Sequence, residues 1–287
     1  MKVVLFCGGL GLRIRDYSEA IPKPLVPIGQ LPVLWHVMKY YSHYGHKDFV
    51  LCLGHQGEAI RRFFLNYDEC LSNDFVFSEG GKKVLLSNGD IHQWNITFAD
   101  TGIESNIGQR LKAVQKYVGN EEVFLANYAD GVSDLHLPSL IEHFDKHQAV
   151  AAFLSARPNL SFHIVSASKD GRVERIEEMT SANLRINSGY FVFRKNIFDY
   201  IRDGEELVRE PFQRLIQEKR LVAYEYDGFF QAMDTFKDRQ SLEGLLASGR
   251  APWEVWKKPS NAGVQSKTSD GRSSPSDTRA PVGKRHA

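Results

Sequence analysis

The sequence predicts an α/β fold built on a doubly wound, mostly parallel but mixed sheet, and three features predict it. Short apolar runs of strand length alternate with helix-period segments through the first half of the chain. Two of these runs, residues 3–6 and 123–126, lead into loops carrying Gly8-Gly9 and Asp130-Gly131, where strands of such a sheet present their carboxyl ends to a ligand. After about residue 148 the alternation loosens, and Asp170-Gly171 marks a hairpin, so part of the sheet is expected to be antiparallel.

Taken in order, residues 3–6 (Val-Val-Leu-Phe) read as a buried strand. Residues 33–44 place Leu34, Val37, Met38 and Tyr41 on one helical face. Residues 48–53 form a second strand, and 57–67 a second helix with Ile60, Phe63 and Phe64 inward. An irregular stretch follows, then a strand at 94–98, a helix at 107–118 and a strand at 123–126. In the second half, 149–156, 162–167 and 186–194 read as strands, with helical segments near Ile197 and Phe212. Residues 1–257 are expected to form one folded domain. Residues 258–287, rich in Ser, Lys, Arg, Gly and Pro and poor in large apolar residues, are expected to be a disordered polar tail.

Composition excludes several classes of function. The chain has 287 residues, 36 basic and 35 acidic, giving a net charge of +1 that offers no global attraction to nucleic acid or to an acidic membrane surface. No apolar run approaches bilayer length, and the opening Met1–Phe6 stretch is too short for a signal peptide. Cys7, Cys52 and Cys70 are odd in number, widely spaced and lack metal-ligand spacing. Cys7 and Cys52, in apolar strand-like runs, read as reduced packing residues, which suits a soluble protein of the cytoplasm.

Chemistry concentrates at the first strand end. In Cys7-Gly8-Gly9-Leu10-Gly11-Leu12-Arg13, three glycines let backbone N–H groups approach an anion closely. Arg13 adds a planar fork for paired phosphate oxygens, and Lys23, between Pro22 and Pro24 in an expected extended segment, adds a point charge. No Gly-Lys-Ser/Thr occurs, which excludes a Walker loop, and Ile14 stands where a dinucleotide fingerprint requires glycine. The parts describe a triphosphate site. Asp130 and Asp234 each end an apolar or aromatic run; singly, either reads as a cap or turn residue. As a pair attached to a phosphate loop they suit magnesium, which takes a few carboxylates together with phosphate oxygens.

These residues resemble the sugar-1-phosphate nucleotidyltransferases, and among them the glucose-1-phosphate cytidylyltransferases. The resemblance rests on Gly8-Gly9-Leu10-Gly11-x-Arg13, Pro22-Lys23-Pro24 with Ile28-Gly29, and Leu34-Trp35-His36. It continues through Tyr128-Ala129-Asp130-Gly131, Ile186-Asn187-Ser188-Gly189, Gly228-Phe229-Phe230-Gln231 and Met233-Asp234-Thr235. The Leu-Trp-His segment and the closing Ala251-Pro252-Trp253 point to the cytidylyl branch. The resemblance implies the nucleotidyltransferase fold with a smaller sugar-facing lobe, a homo-oligomer, and transfer of a nucleotidyl group from a nucleoside triphosphate, CTP favoured, to glucose 1-phosphate. It implies that Gly8, Gly9, Leu10, Gly11 and Leu12 cradle the triphosphate, while Arg13 and Lys23 stabilise the reacting phosphates. Asp130 and Asp234 would hold Mg2+, Tyr128 and Asn187 would face the sugar, and Thr101 and Arg110 would lie near the nucleotide.

Two positions depart from the family pattern. Leu12 stands where threonine is usual, and Glu178 where a lysine that binds the sugar phosphate is usual, with Arg185 a nearby cation able to compensate. These departures keep open UTP or GTP, another sugar 1-phosphate, or a catalytically silent nucleotide-binding homologue.

Overall fold

β1 (Val3–Phe6) is buried along its whole length, as four consecutive apolar residues at the centre of a sheet must be. A computed structural model describes residues 1–9, 21–87, 89, 91–158, 163–178 and 184–257. The other strands of the main sheet are β2 (Asp48–Leu53), β3 (Asn95–Asp100), β4 (Val123–Asn127), β5 (Ala151–Ala156), β6 (Ile186–Arg194) and β7 (Leu221–Tyr226). Their spatial order is β7-β5-β6-β4-β1-β2-β3. β1 runs parallel to β2 and β4, β2 to β3, and β5 to β7, whereas β6 is antiparallel to both β4 and β5. The mixed sheet expected from the sequence is present, and the strands of the second half join the same sheet.

Side-chain alternation along β1 feeds two cores. Val3 and Leu5 pack on one face with α1 (Val33–His43), through Val33, Leu34, Val37, Met38 and Tyr41. Val4 and Phe6 pack on the other with Leu111, Val114 and Val118. From β1 the chain steps outward through β2 and β3, then returns to place β4 on the opposite side of β1. The order of strands therefore reverses between β1 and β4, and that crevice is where an open α/β sheet binds its ligand.

Some expectations needed correction. The helix over 107–118 is two pieces, α3 (Ile107–Ala113) and a further turn Gln115–Val118, with Val114 at φ −95°, ψ 2° between them. The helix begun at Gly57, α2 (Gly57–Leu65), stops short of Tyr67, and only Ile60 of its expected inward set is fully buried. The region read as irregular contains an antiparallel hairpin, Phe75–Ser78 with Lys83–Leu86. Gly80 and Gly81, both at positive φ, turn it, and that Gly-Gly pair was the readable signal. Near Ile197 the chain forms a 3-10 segment, Lys195–Tyr200, while Phe212 lies in a true helix, α5 (Glu210–Gln217). The tail, residues 258–287, lies outside the described residues.

The segments that marked the cytidylyl branch are packing residues. The Trp253 indole N–H donates to His36 Nδ1 at 3.3 Å, and His36 Nε2 donates to the Ile28 carbonyl at 3.1 Å. With Nδ1 accepting, the proton sits on Nε2 and the ring is neutral. His36 is 3% and Trp253 1% exposed, and Trp253 also stacks on Phe229. The closing segment is thus clasped onto α1 and onto the strand that follows Lys23.

Burial pushes the His36 pKa down from 6.5 to about 4, against the opposing pull of its bond to Ile28. The folded value lies below the unfolded one, so the unfolded chain takes up the proton first as pH falls. The stability contributed by the neutral ring is therefore intact above pH 6.5 and lost progressively toward pH 4. Its size is about 3 kcal/mol at most. His36→Asn should be less stable at pH 7 yet lose less additional stability across that window than the wild type, measured by urea unfolding at a series of pH values. Equal pH slopes would show that His36 does not set the acid sensitivity.

Candidate active site

Two strand ends and two distant loops meet beyond the β1–β4 crevice. β1 continues as Cys7, whose N–H bonds to the Cys52 carbonyl at 3.0 Å, and then as buried Gly8 and exposed Gly9. Leu10, Gly11, Leu12 and Arg13 lie outside the described residues, so the rest of the loop and its arginine are not placed. Cys7 and Cys52 are buried thiols, as expected, and burial holds both pKa values well above the usual thiol range.

Lys23 comes from a separate, proline-flanked segment. Pro22 is extended (φ −65°, ψ 145°), as expected, but Lys23–Leu25 then tightens into a 3-10 turn instead of continuing extended. Pro24 explains the difference: it is the second residue of the turn, where its fixed φ is helical and its missing N–H would have had no partner within the turn. Both prolines are buried, which fixes the lysine's backbone while its four-carbon stem reaches the crevice.

Asp130 follows β4 through a tight, strained turn. The Asn127 side chain accepts from the Ala129 N–H at 2.8 Å, and Ala129 sits at φ 63°, a left-handed conformation unusual for a residue with a Cβ. Gly131–Ser133 then pairs antiparallel with Phe230–Ala232, Gly131 opposite Ala232. The Met233 N–H donates to the Asp130 carbonyl at 2.8 Å. This short ladder brings Asp234 beside Asp130. Asp234 is not itself the cap of the helix that follows, α6 (Phe236–Ala247): Thr235 caps it, in a reciprocal box with Asp238. Asp238 also accepts the Asp234 N–H at 3.1 Å, so the backbone of Asp234 is held from both sides. Thr235-x-x-Asp238 was a legible capping signal.

At the centre, Lys23 Nζ lies 2.6 Å from Asp130 Oδ2 and 2.5 Å from Asp234 Oδ1. Burial disfavours the ammonium, but the two carboxylates outweigh it, and the Lys23 pKa lies above its ordinary value. For Asp130 burial is the larger influence and raises the carboxyl pKa, with Lys23 opposing it. Two hard oxygen donors converging on one point fit magnesium, which keeps water and phosphate oxygens as its remaining ligands. Among the described residues no group of three or more acidic, Cys or His side chains is arranged to hold a metal ion.

Tyr128 and Asn187 are brought together on the β4–β6 side. The Asn187 amide donates to the Tyr128 hydroxyl at 3.4 Å, and its carbonyl oxygen accepts the Gly189 N–H at 2.9 Å. Gly189 sits at φ 79°, and a Cβ there would meet the Tyr128 ring at 2.3 Å, so glycine is what lets the tyrosine lie flat. Arg185 does not stand free beside them: it is paired with Glu225 and Asp227 and donates to the Ser155 and Tyr226 carbonyls. Glu178 is exposed at the end of the hairpin strand Val173–Glu178, in register with His163.

Thr101 and Arg110 spend their polar atoms on the protein. Arg110 is 2% exposed, and its guanidinium reaches five uncharged oxygens: the Leu53, Gly8, Gly102 and Ile103 carbonyls and the Thr101 hydroxyl. The Thr101 hydroxyl in turn donates to the Leu53 carbonyl at 2.7 Å. One side chain therefore ties together the ends of β1, β2 and β3. A Cβ on Gly8 would lie 2.2 Å from this guanidinium, so glycine is required there for close approach. Nothing in a sequence reports bonds to backbone carbonyls, and this tie was not foreseen.

A family model of nucleotidyl transferases matches residues 2–238. The chain belongs to the nucleotidyl transferase family. Its relatives include the glucose-1-phosphate cytidylyltransferases of Salmonella typhimurium and Salmonella typhi. Each is 38% identical over 258 residues, covering 89% of this chain and the whole (100%) of the relative. Among solved structures, UDP-glucose pyrophosphorylase complexed with UDP-glucose superposes with a TM-score of 0.63 at 14% identity, over 87% of this chain and 99% of that one, a likeness of fold. Among the described residues no helix is long and apolar enough to cross a membrane.

The carbonyl tie has a measurable consequence. Arg110→Lys keeps the charge but lacks the planar fork needed to serve acceptors on three strand ends at once. It should lower unfolding stability by about 2–3 kcal/mol through unsatisfied buried carbonyls, read from urea unfolding. A loss below about 0.5 kcal/mol would show that the tie contributes little.

Proposed function

We propose that this protein transfers a cytidylyl group from CTP to glucose 1-phosphate, giving CDP-glucose and pyrophosphate. The observation that carries the reading is the convergence of Lys23, Asp130 and Asp234 on one point beyond the β1–β4 crevice, in a chain of this family. The choice of base and sugar rests on relatives that share more than a third of their residues with it over their full length.

In this reading an oxygen of the sugar phosphate attacks the α-phosphorus in line, a new P–O bond forms, and the α–β bridging oxygen leaves with pyrophosphate. Such a reaction needs positioning and charge stabilisation more than a nucleophilic side chain. Gly8 and Gly9 let the triphosphate lie against the backbone, continued by Leu10, Gly11 and Leu12, and Arg13 steadies the leaving pyrophosphate. Lys23 stabilises charge on the α-phosphate. Asp130 and Asp234 would hold Mg2+, which when bound neutralises part of the phosphate charge. Tyr128 and Asn187 orient the sugar. Thr101 and Arg110 act through the loop ends they hold.

Purified protein with Mg2+ should release pyrophosphate fastest with CTP and glucose 1-phosphate in a panel of nucleoside triphosphates and sugar phosphates, with products identified by mass. Absence of release with every pair would remove the enzymatic reading, whereas a faster UTP or GTP reaction would change only the base. Glu178 makes the sugar arm of this panel informative, since a carboxylate replaces a phosphate-binding cation there.

Asp130→Asn and Asp234→Asn should each raise the Mg2+ concentration needed for half-maximal rate and lower the maximal rate by about 100-fold or more, because an amide is a poorer ligand for a hard cation. An unchanged Mg2+ dependence in either variant would reassign that aspartate to a structural role.

A further inference from the structure

The oxygens that would hold a divalent cation already hold an ammonium. Lys23 Nζ lies within 2.6 Å of Asp130 Oδ2 and 2.5 Å of Asp234 Oδ1, so a metal bound between the two carboxylates would compete with the lysine for the same atoms. Pro22 and Pro24 are buried and fix the lysine's backbone, leaving the flexible stem as the part able to change partners. Withdrawing the ammonium without a substitute would leave two carboxylates facing each other in a partly buried crevice, which is costly.

From this geometry we propose that Lys23 is the resident counter-ion of the metal site, and that it is exchanged for the divalent cation when a triphosphate arrives. The proposal rests on the metal assignment made above for Asp130 and Asp234. The charge balance favours exchange only when both partners come together. Among the described residues the Lys23 ammonium pairs with these two carboxylates alone, so a free divalent cation must displace it from its anionic partners. A metal-bound triphosphate supplies both the replacement cation and phosphate oxygens to receive the ammonium, beside the strand end at Gly8. Lys23 thereby couples metal binding to nucleotide binding and keeps the carboxylate pair from capturing divalent cations alone. The same motion delivers the lysine to the phosphates at the moment its charge is needed there.

The test is direct binding of Mn2+ to the full-length protein without nucleotide, read from loss of the free-ion electron paramagnetic resonance signal. Lys23→Ala, and Lys23→Met with a stem of similar length, should bind Mn2+ roughly tenfold or more tightly than the wild type, within the range usual for coupled sites. The gain should disappear in Lys23→Ala/Asp234→Asn. Circular dichroism and thermal melting identify any variant that fails to fold, and the pair of Lys23 substitutions keeps the comparison available if one does. Equal or weaker Mn2+ binding by both Lys23 variants would overturn the proposal, as would a gain that survives Asp234→Asn. Either result alongside normal pyrophosphate release by the wild type would leave the enzymatic reading standing, so the two failures are distinguishable.

Discussion

Two carboxylates sharing one ammonium is the constraint around which this fold is organised at its functional end. Two carboxylates converging on one point in a partly buried crevice are tolerated only with a cation between them. Each of the three residues reaches the point by a different device. Lys23 is set by a proline-started turn, Asp130 by an Asn127-stabilised loop with Ala129 in a left-handed conformation. Asp234 arrives through a three-residue ladder against Gly131–Ser133 and a helix cap just beyond it. The strand order makes this possible, because the reversal between β1 and β4 leaves a crevice at the strand ends from which these residues project.

Much of this was legible in the sequence. The central strands were readable because both their faces are covered, leaving unbroken apolar runs such as Val-Val-Leu-Phe. β7 was missed because its residues are only half covered, and its Leu-Val-Ala-Tyr-Glu-Tyr pattern lacks a sustained apolar run. The pairing of Asp130 with Asp234 was approachable because two aspartates attached to a phosphate-type loop suit magnesium, although singly each reads as a cap or turn residue; their contact with Lys23 was not foreseen. The turn at Lys23 was misjudged because proline suits an extended segment and the first turn of a helix equally well. The tie made by Arg110 was out of reach, since its partners are main-chain oxygens contributed by three separate strand ends.

The residues that carry the branch resemblance are different from those proposed to carry the chemistry, and they serve packing. Trp35, His36 and Trp253 carry much of the resemblance to cytidylyltransferases, yet His36 and Trp253 bond to each other inside the core. The clasp they form reaches the segment after Lys23: His36 grips the Ile28 carbonyl. Arg110 works in the same indirect way on Gly8.

The organising role of the Lys23–Asp130–Asp234 set is tested most directly by a crystal structure with Mn2+ and a non-hydrolysable CTP analogue. The anomalous signal of manganese should lie between the Asp130 and Asp234 carboxylates, with the Lys23 ammonium turned onto phosphate oxygens. Manganese bound elsewhere, with Lys23 still bridging both aspartates beside a bound nucleotide, would contradict it.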